Sequence, residues 1–550
     1  MTLASPDQSP DLLVTAAHAT DWRHGVTYQL YLRSFADGNG DGVGDLAGAI
    51  SRLDYVKSLG VDSVWVSPWY VSPMADGGYD VADFCDIDPL FGTLADADRF
   101  IEECHRRDLR VIVDVVVNHC SSAHPWFLNA LAAAPGSPER EMFYFRDGRG
   151  PQGDEPPTDW VSVFGGPAWT RVNDVDGRPG QWYLHLFDSA QPDLNWHTRS
   201  VVDAFDEIFA FWFDRGVDGL RLDAVPAIGK ELDFRDAGCD PREQFSPETA
   251  PPTPYWDAGE VHRVVRHWRQ VADEYSPPKY LVGEINVATT TALARYVRPD
   301  ELHSVFAMSL AKLPWSAPLF RERVADHLDH SPGSDSWFTW VSSSHDEVRS
   351  VTRLAREGAL DGDARLGARR ARAILLMLFA LPGGACLYQG DELGLPQVTD
   401  IPRELLEDPI VARTGDPTRG RDGCRVALPW EMHGPSFGFS ETTPRVRQPR
   451  EWSRLSVEAQ ENDPTSFLQF TRLAIALRRH VLDDGPFEWL EWGDEVLAFE
   501  HGSLRCVVNF SSREVTLAER HRVIIASTEC DGLVVAPNSA AWFGVGDADA

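Results

Sequence analysis

The 550-residue chain lacks the features that would mark it for a membrane, a nucleic acid or an oxidising compartment. Met1 to Thr20 has neither a basic opening nor an apolar core, and its Pro6, Asp7, Pro10 and Asp11 do not suit an export signal; a disordered leader is expected there. No apolar run is long enough to span a bilayer. The eight cysteines, Cys85, Cys104, Cys120, Cys239, Cys386, Cys424, Cys506 and Cys530, include no Cys-x-x-Cys pair, which argues against a zinc site or a disulfide framework. Reduced thiols in a cytoplasmic protein follow as the expectation. Positive charge is scarce: 51 Lys and Arg face 84 Asp and Glu, a net charge of −33 spread along the chain. That excess repels phosphate backbones and anionic lipid, so no nucleic-acid or membrane partner is expected. Internal repeats are absent, and the one biased tract is the Pro-rich Ser246 to Pro254.

What is present is a rhythm of buried strands and amphipathic helices. Strands are expected at Val26–Phe35, Val61–Pro68, Leu109–Val117, Gly216–Val225, Tyr280–Glu284, Trp337–Ser342 and Ala385–Tyr388. Helical patterns occupy Leu46–Leu59, Asp96–Arg107, Val201–Arg215 and Gly367–Leu381. Strands apolar on both faces and separated by helices imply a parallel sheet covered on both sides. Enough units recur for an α/β fold of the (β/α)8 barrel type, residues 20–118 and 196–484, with reactive groups at the strand C-termini. Residues 119–195, rich in Gly, Pro and aromatics with few helical signals, read as a subdomain inserted after strand three. Residues 485–550 alternate apolar and polar over short runs, the pattern of a small antiparallel β domain.

The chemistry lies at the strand ends. In Gly219-Leu-Arg-Leu-Asp223, Arg221 and Asp223 are two apart and so project to one side of a strand. A guanidinium so placed is expected to lower the aspartate's pKa, which suits a carboxylate nucleophile. Other strands end in Asp114-Val-Val-Val-Asn118-His119, in Gly283-Glu284 and in Ser344-His345-Asp346. Three carboxylates, two histidines and an arginine converging on one face suit glycoside cleavage through an oxocarbenium-like transition state. Asp223 would attack, and Glu284, crowded by Asp223 and Asp346, would stay protonated as the acid. Asp114 and Asn118 read as structural. The loop Asp37-Gly-Asn39-Gly-Asp41-Gly-Val43-Gly-Asp45 offers side-chain oxygens at Asp37, Asn39, Asp41 and Asp45 and a carbonyl at Val43. Those are ligands for one hard divalent cation, Ca²⁺ or alternatively Mg²⁺; an ion-free Asp/Gly turn is the competing reading.

Taken together, DVVVNH (114–119), GLRLD (219–223), Gly283-Glu284, His345-Asp346 and QPDLNW (191–196) resemble glycoside hydrolase family 13, the α-amylase family, over residues 20–550. The resemblance implies Asp223 as nucleophile, Glu284 as acid/base and Asp346 as a third acid gripping sugar hydroxyls. It places His119, Arg221 and His345 around that sugar. Asp76-Gly-Gly-Tyr79 is similar to the segment in which exo-acting α-glucosidases stack a tyrosine on the terminal glucose and bind its hydroxyls with an aspartate. By the same likeness Arg425 closes the pocket with Asp76, the 37–45 loop holds a structural cation, and Phe164 stands at the pocket wall. Ala224, following the nucleophile, points to α-1,4 rather than α-1,6 linkages. The implied protein is a retaining α-glucosidase acting on maltose, short malto-oligosaccharides or other small α-glucosides, as a monomer or homodimer. Trehalose synthase or an α-transglucosylase on the same fold is the alternative.

Overall fold

A computed structural model describes residues 22–173, 177–240, 252–331, 336–355 and 363–545. The expected leader at 1–20 lies outside them, as does most of the Pro-rich tract. Eight parallel strands close into a barrel: β1 (Val26–Leu30), β2 (Ser63–Val66), β3 (Arg110–Val116), β4 (Gly219–Asp223), β5 (Tyr280–Gly283), β6 (Ser304–Ala307), β7 (Trp337–Val341) and β8 (Gly384–Tyr388). Six of them fall within the expected runs and are shorter than them, and β8 begins one residue before its expected Ala385. β1 stops at Leu30 because Leu32–Ser34 turns into a 3₁₀ helix. β6 was not anticipated.

Strand alternation sets what faces where. In β4, Leu220 and Leu222 point outward to the layer of helices, while Arg221 and Asp223 point into the barrel. The interior below them is filled by Trp65, Ile112, Tyr280, Val282, Phe306, Trp337 and Val341, with Trp65 stacked on Phe306 at 5.1 Å. The barrel is therefore a packed plug, and only its C-terminal mouth is open to chemistry. Register aligns the polar residues: Asp114 lies opposite Arg221 between β3 and β4, and Val282 opposite Arg221 between β4 and β5.

Between β3 and β4 the chain forms a three-stranded antiparallel sheet, with Pro179–Leu184 between Phe145–Arg146 and Trp169–Asn173. It also carries a helix, Pro125–Ala132, which the sequence reading missed; Pro125 opens it and the His124 ring accepts the Trp126 amide as its cap. A buried Lys230 fastens this region to the barrel. Its ammonium lies 2.9 Å from Asp193 Oδ2 and donates to Asn118 Oδ1 at 2.9 Å. After β8 a five-stranded antiparallel sheet, Phe487–Leu490, Val496–His501, Leu504–Asn509, Ser539–Gly544 and Val523–Ala526 in spatial order, packs on helix Ala364–Ala380. There the Trp542 indole donates to the Leu376 carbonyl at 3.0 Å. Among the described residues no helix is long and apolar enough to cross a membrane. None of the eight cysteines is joined in a disulfide.

Candidate active site

The expected acids meet at the mouth around one buried guanidinium. Arg221 Nη1 donates to Asp114 Oδ1 at 2.8 Å and to Asp223 Oδ1 at 2.6 Å, while Nη2 donates to Glu284 Oε2 at 2.5 Å. Its guanidinium carbon lies 4.9 Å from the centroid of the Trp65 ring, which the barrel interior holds in place. Asp114 has the structural role expected of it: it also accepts from Trp65 Nε1 and the Tyr79 hydroxyl, at 3.2 and 3.0 Å.

The expected depression of the Asp223 pKa is overturned. Burial dominates and pushes Asp223 well above the usual carboxylate range; Arg221 pulls it back, and Glu284 and Asp114 push it up again. Asp114 is raised to about 6 by burial, against the same arginine. One cation shared among three desolvated acids leaves a net negative cluster, and such a cluster readily takes up a proton. A site of this kind can hold a proton and an anion side by side, as acid-assisted displacement requires.

A second network carries Asp346. The Gln29 amide lies 2.5 Å from His345 Nδ1, and His345 Nε2 lies 2.6 Å from the Tyr79 oxygen and 3.2 Å from Asp346 Oδ2. With Gln29 donating to Nδ1, the ring proton belongs on Nε2. Burial lowers His345 to about 3, so the ring is neutral. Burial also opposes charge on Asp346, yet the His345 N–H and the guanidiniums of Arg421 and Arg425 outweigh it and hold Asp346 well below the ordinary range. Ser344, where the family resemblance would place asparagine, accepts the Asp346 amide at 3.1 Å. A serine hydroxyl here supplies the turn that an asparagine side chain would make.

The arginine that closes the pocket with Asp76 is Arg421, not Arg425. Arg421 donates to Asp76 Oδ1 at 2.7 Å, to Asp346 Oδ1 at 3.0 Å and to Asp408 Oδ2 at 2.7 Å. Arg425 reaches Asp346 Oδ1 at 2.7 Å and the His345 carbonyl at 2.8 Å, but makes no bond to Asp76. Asp76 is buried and pushed up to about 6 by that burial, against both arginines. Its loop turns at Gly78, whose φ of +108° and close approach to the Pro68 carbonyl admit no side chain. Tyr79 is thereby brought parallel to the His345 ring, 5.4 Å away. His119 is neutral, lowered to about 3 by burial, with Nε2 at 3.0 Å from the Gln191 amide.

These groups line a cavity of about 320 Å³. Asp76, Tyr79, His119 and Asp223 are buried in its lining, which Glu284 and Arg421 share. Phe164 stands on its wall, as expected, with the Arg421 guanidinium 5.2 Å from its ring. Phe187, Trp256, Asn286, Met308 and Ile410, all half-buried, also line it. Ala224 also lines the cavity, in the left-handed region at φ 44°. Arg421, Asp408, Asn286 and Trp256 escaped the sequence reading.

The 37–45 loop has the hard-oxygen donors of a cation site, but its carboxylates are already engaged. Asp37 accepts the amides of Asn39, Gly40 and Gly42 at 3.0, 2.6 and 2.7 Å. Asp45 accepts those of Gly38, Asn39 and Gly48, the last at 2.6 Å as it caps helix Leu46–Ser51. Asp41 and Asn39 each accept one further loop amide. Among the described residues no three His, Cys, Asp or Glu side chains are gathered to hold a metal ion.

Comparison with known proteins agrees with this geometry. The family model of the alpha amylase catalytic domain matches residues 29–485. The chain is 36% identical over 515 residues to a probable alpha-glucosidase of Rhizobium meliloti, covering 90% of each. To an oligo-1,6-glucosidase of Parageobacillus thermoglucosidasius it is 32% identical over 508 residues, 85% of this chain and 87% of the relative. The solved structure of an alpha-glucosyl transfer enzyme superposes with a TM-score of 0.84 at 34% identity, covering 95% of this chain and 99% of the other. From these matches and the barrel that carries the site, the chain belongs to the alpha-amylase family of glycoside hydrolases.

Proposed function

We propose that the protein is a retaining, exo-acting α-glucosidase that removes terminal α-1,4-linked glucose from maltose and short α-glucosides. The observation that carries this is the pair Asp223 and Glu284, held on the two amino groups of Arg221 in the lining of a cavity. Carboxyls set this close suit the double-displacement geometry, about 5–5.5 Å apart, rather than the wider inverting one. Asp223 attacks the anomeric carbon while Glu284 protonates the leaving oxygen; Glu284 then takes a proton from the water that releases glucose. Asp346 and Asp76, spanned by Arg421, bind the hydroxyls of the terminal sugar. With that end blocked, only a chain terminus fits, which supports exo action. Ala224 supports the α-1,4 reading, and eight cysteines with no disulfide among them support a cytoplasmic setting. The test is product analysis by NMR with maltose. Immediate release of the α-anomer of glucose, with no rearranged disaccharide, is expected; trehalose or new oligosaccharides would replace the reading with an isomerase or transglucosylase. That second reading draws its support from the glucosyl transfer relative.

The proposal includes a structural divalent cation, Ca²⁺ or Mg²⁺, at Asp37, Asn39, Asp41, Val43 and Asp45, supported by their oxygen donors. Its role would be stability, not chemistry. Chelation is then expected to lower Tm, and restored cation to return it. A Tm that neither chelator nor added cation moves would leave the loop held by its amides alone.

A further inference from the structure

Glu284 stands one residue beyond β5; its amide donates to the Leu222 carbonyl at 2.9 Å and its carbonyl accepts the Val225 amide at 3.2 Å, which hold the backbone and leave the side chain to its own partners. Its two oxygens are held unequally. Oε2 accepts from Arg221 Nη2 at 2.5 Å and from the Ala224 amide at 3.4 Å. Oε1 has one hydrogen-bond partner among the described residues, the side-chain amide of Asn286 at 2.9 Å. Asn286 lies in the loop between β5 and helix Thr290–Arg295, where nothing in the local backbone would orient it. It is fixed from outside instead: the Trp256 indole donates to its carbonyl at 2.7 Å. Trp256 and Asn286 line the same cavity and are half-buried where Asp76, Tyr79, His119 and Asp223 are buried, the less enclosed side on which a leaving group has room.

We infer that Asn286, braced by Trp256, is a positioning residue for the acid/base Glu284, and that the wall facing the leaving group thereby sets the aim of the proton donor. The inference rests on the reading of Glu284 given above. A carboxyl acting as acid and then as base needs a partner in both states. An amide suits this, since its N–H₂ donates to the carboxylate and its oxygen, after a turn of the amide plane, accepts from the acid. Without Asn286, Oε1 swings on a side chain anchored only through Oε2. Misplacement of a reacting group by about 1 Å costs on the order of 10²-fold in rate.

The test compares two substrates in Asn286→Ala and Asn286→Asp. Maltose needs a proton on its leaving oxygen, whereas α-glucosyl fluoride expels fluoride without one. In Asn286→Ala, kcat/KM for maltose is expected to fall at least about 10-fold, part of the roughly 10²–10⁴-fold that general acid catalysis supplies. For the fluoride it should stay within about 3-fold, since acid assistance is not required there. Asn286→Asp, which replaces the donor amide facing Oε1 with an acceptor, is expected to lose at least as much on maltose and as little on the fluoride. Equal losses on both substrates, or none on either, would overturn the inference. Glu284→Gln separates the two levels of the argument. If it still cleaves maltose normally, the acid/base assignment itself fails. If it loses maltose but keeps the fluoride while Asn286→Ala behaves as the parent, only the role of Asn286 fails.

Discussion

Asp223→Asn is expected to lower kcat on maltose by at least about 10⁴-fold, the scale seen when the nucleophile of a covalent mechanism is removed. The substitution keeps the shape of the side chain and can still accept from Arg221 through its oxygen. It removes one of three negative charges around that guanidinium, so the cluster is relieved of repulsion and the fold should hold or gain in stability. Loss of activity with an unchanged or raised Tm is therefore the signature to look for. In the truncated variant Asp223→Gly, azide entering the space left by the carboxylate should restore part of the turnover with the inverted product. Turnover near that of the parent enzyme would remove Asp223 from the mechanism.

Arg421→Gln is expected to cost about 10²–10³-fold in kcat/KM, with much of the loss in KM. Arg421 touches three carboxylates, Asp76, Asp346 and Asp408, and all lie within the pocket or behind it. Removing the cation leaves buried acids unpaired, which costs about 3–5 kcal/mol where a buried pair is broken. Asp76 is already raised to about 6, so the variant should leave it protonated near neutral pH and a weaker acceptor for a sugar hydroxyl. Arg425→Gln should be milder on binding, because Arg425 shares only Asp346 and otherwise bonds a backbone carbonyl. The comparison of the two variants is decisive: a larger KM effect at Arg425 would reverse their assigned places.

The two arginines also show where the sequence stops speaking. Arg421 and Arg425 stand four residues apart in a segment of short 3₁₀ turns, and a linear motif aligns either one with Asp76. Their order in space depends on Asp408, which accepts the Arg421 amide and guanidinium and pulls it to the front of the pocket. The shared direction of Arg221 and Asp223, in contrast, was legible because alternation is strict along a strand: Leu220 and Leu222 must go out if Arg221 and Asp223 go in. β6 was missed because Ser-Val-Phe-Ala runs straight into a 3₁₀ helix at Met308–Lys312, with no Gly or Pro to mark where the strand ends. The sign of the Asp223 shift was missed for another reason. A sequence displays the neighbouring charge two residues away, but desolvation is set by everything packed above it.

The Lys230 clamp has a bearing on how this enzyme could be rebuilt. One wall of the pocket, Phe164 and Phe187, is carried by the segment between β3 and β4, the obvious piece to exchange among relatives when a new aglycone is wanted. Its seam is not made of surface loops. Asp193 from that segment and Asn118 from the barrel side are both bonded to Lys230, whose side chain is wholly buried and belongs to the stretch after β4. A graft that changes Asp193 strands an ammonium in the interior, and one cut at the chain boundaries alone leaves Lys230 behind. The unit that can be swapped is thus discontinuous, a segment plus one lysine some forty residues downstream, and libraries cut along contiguous sequence would discard it.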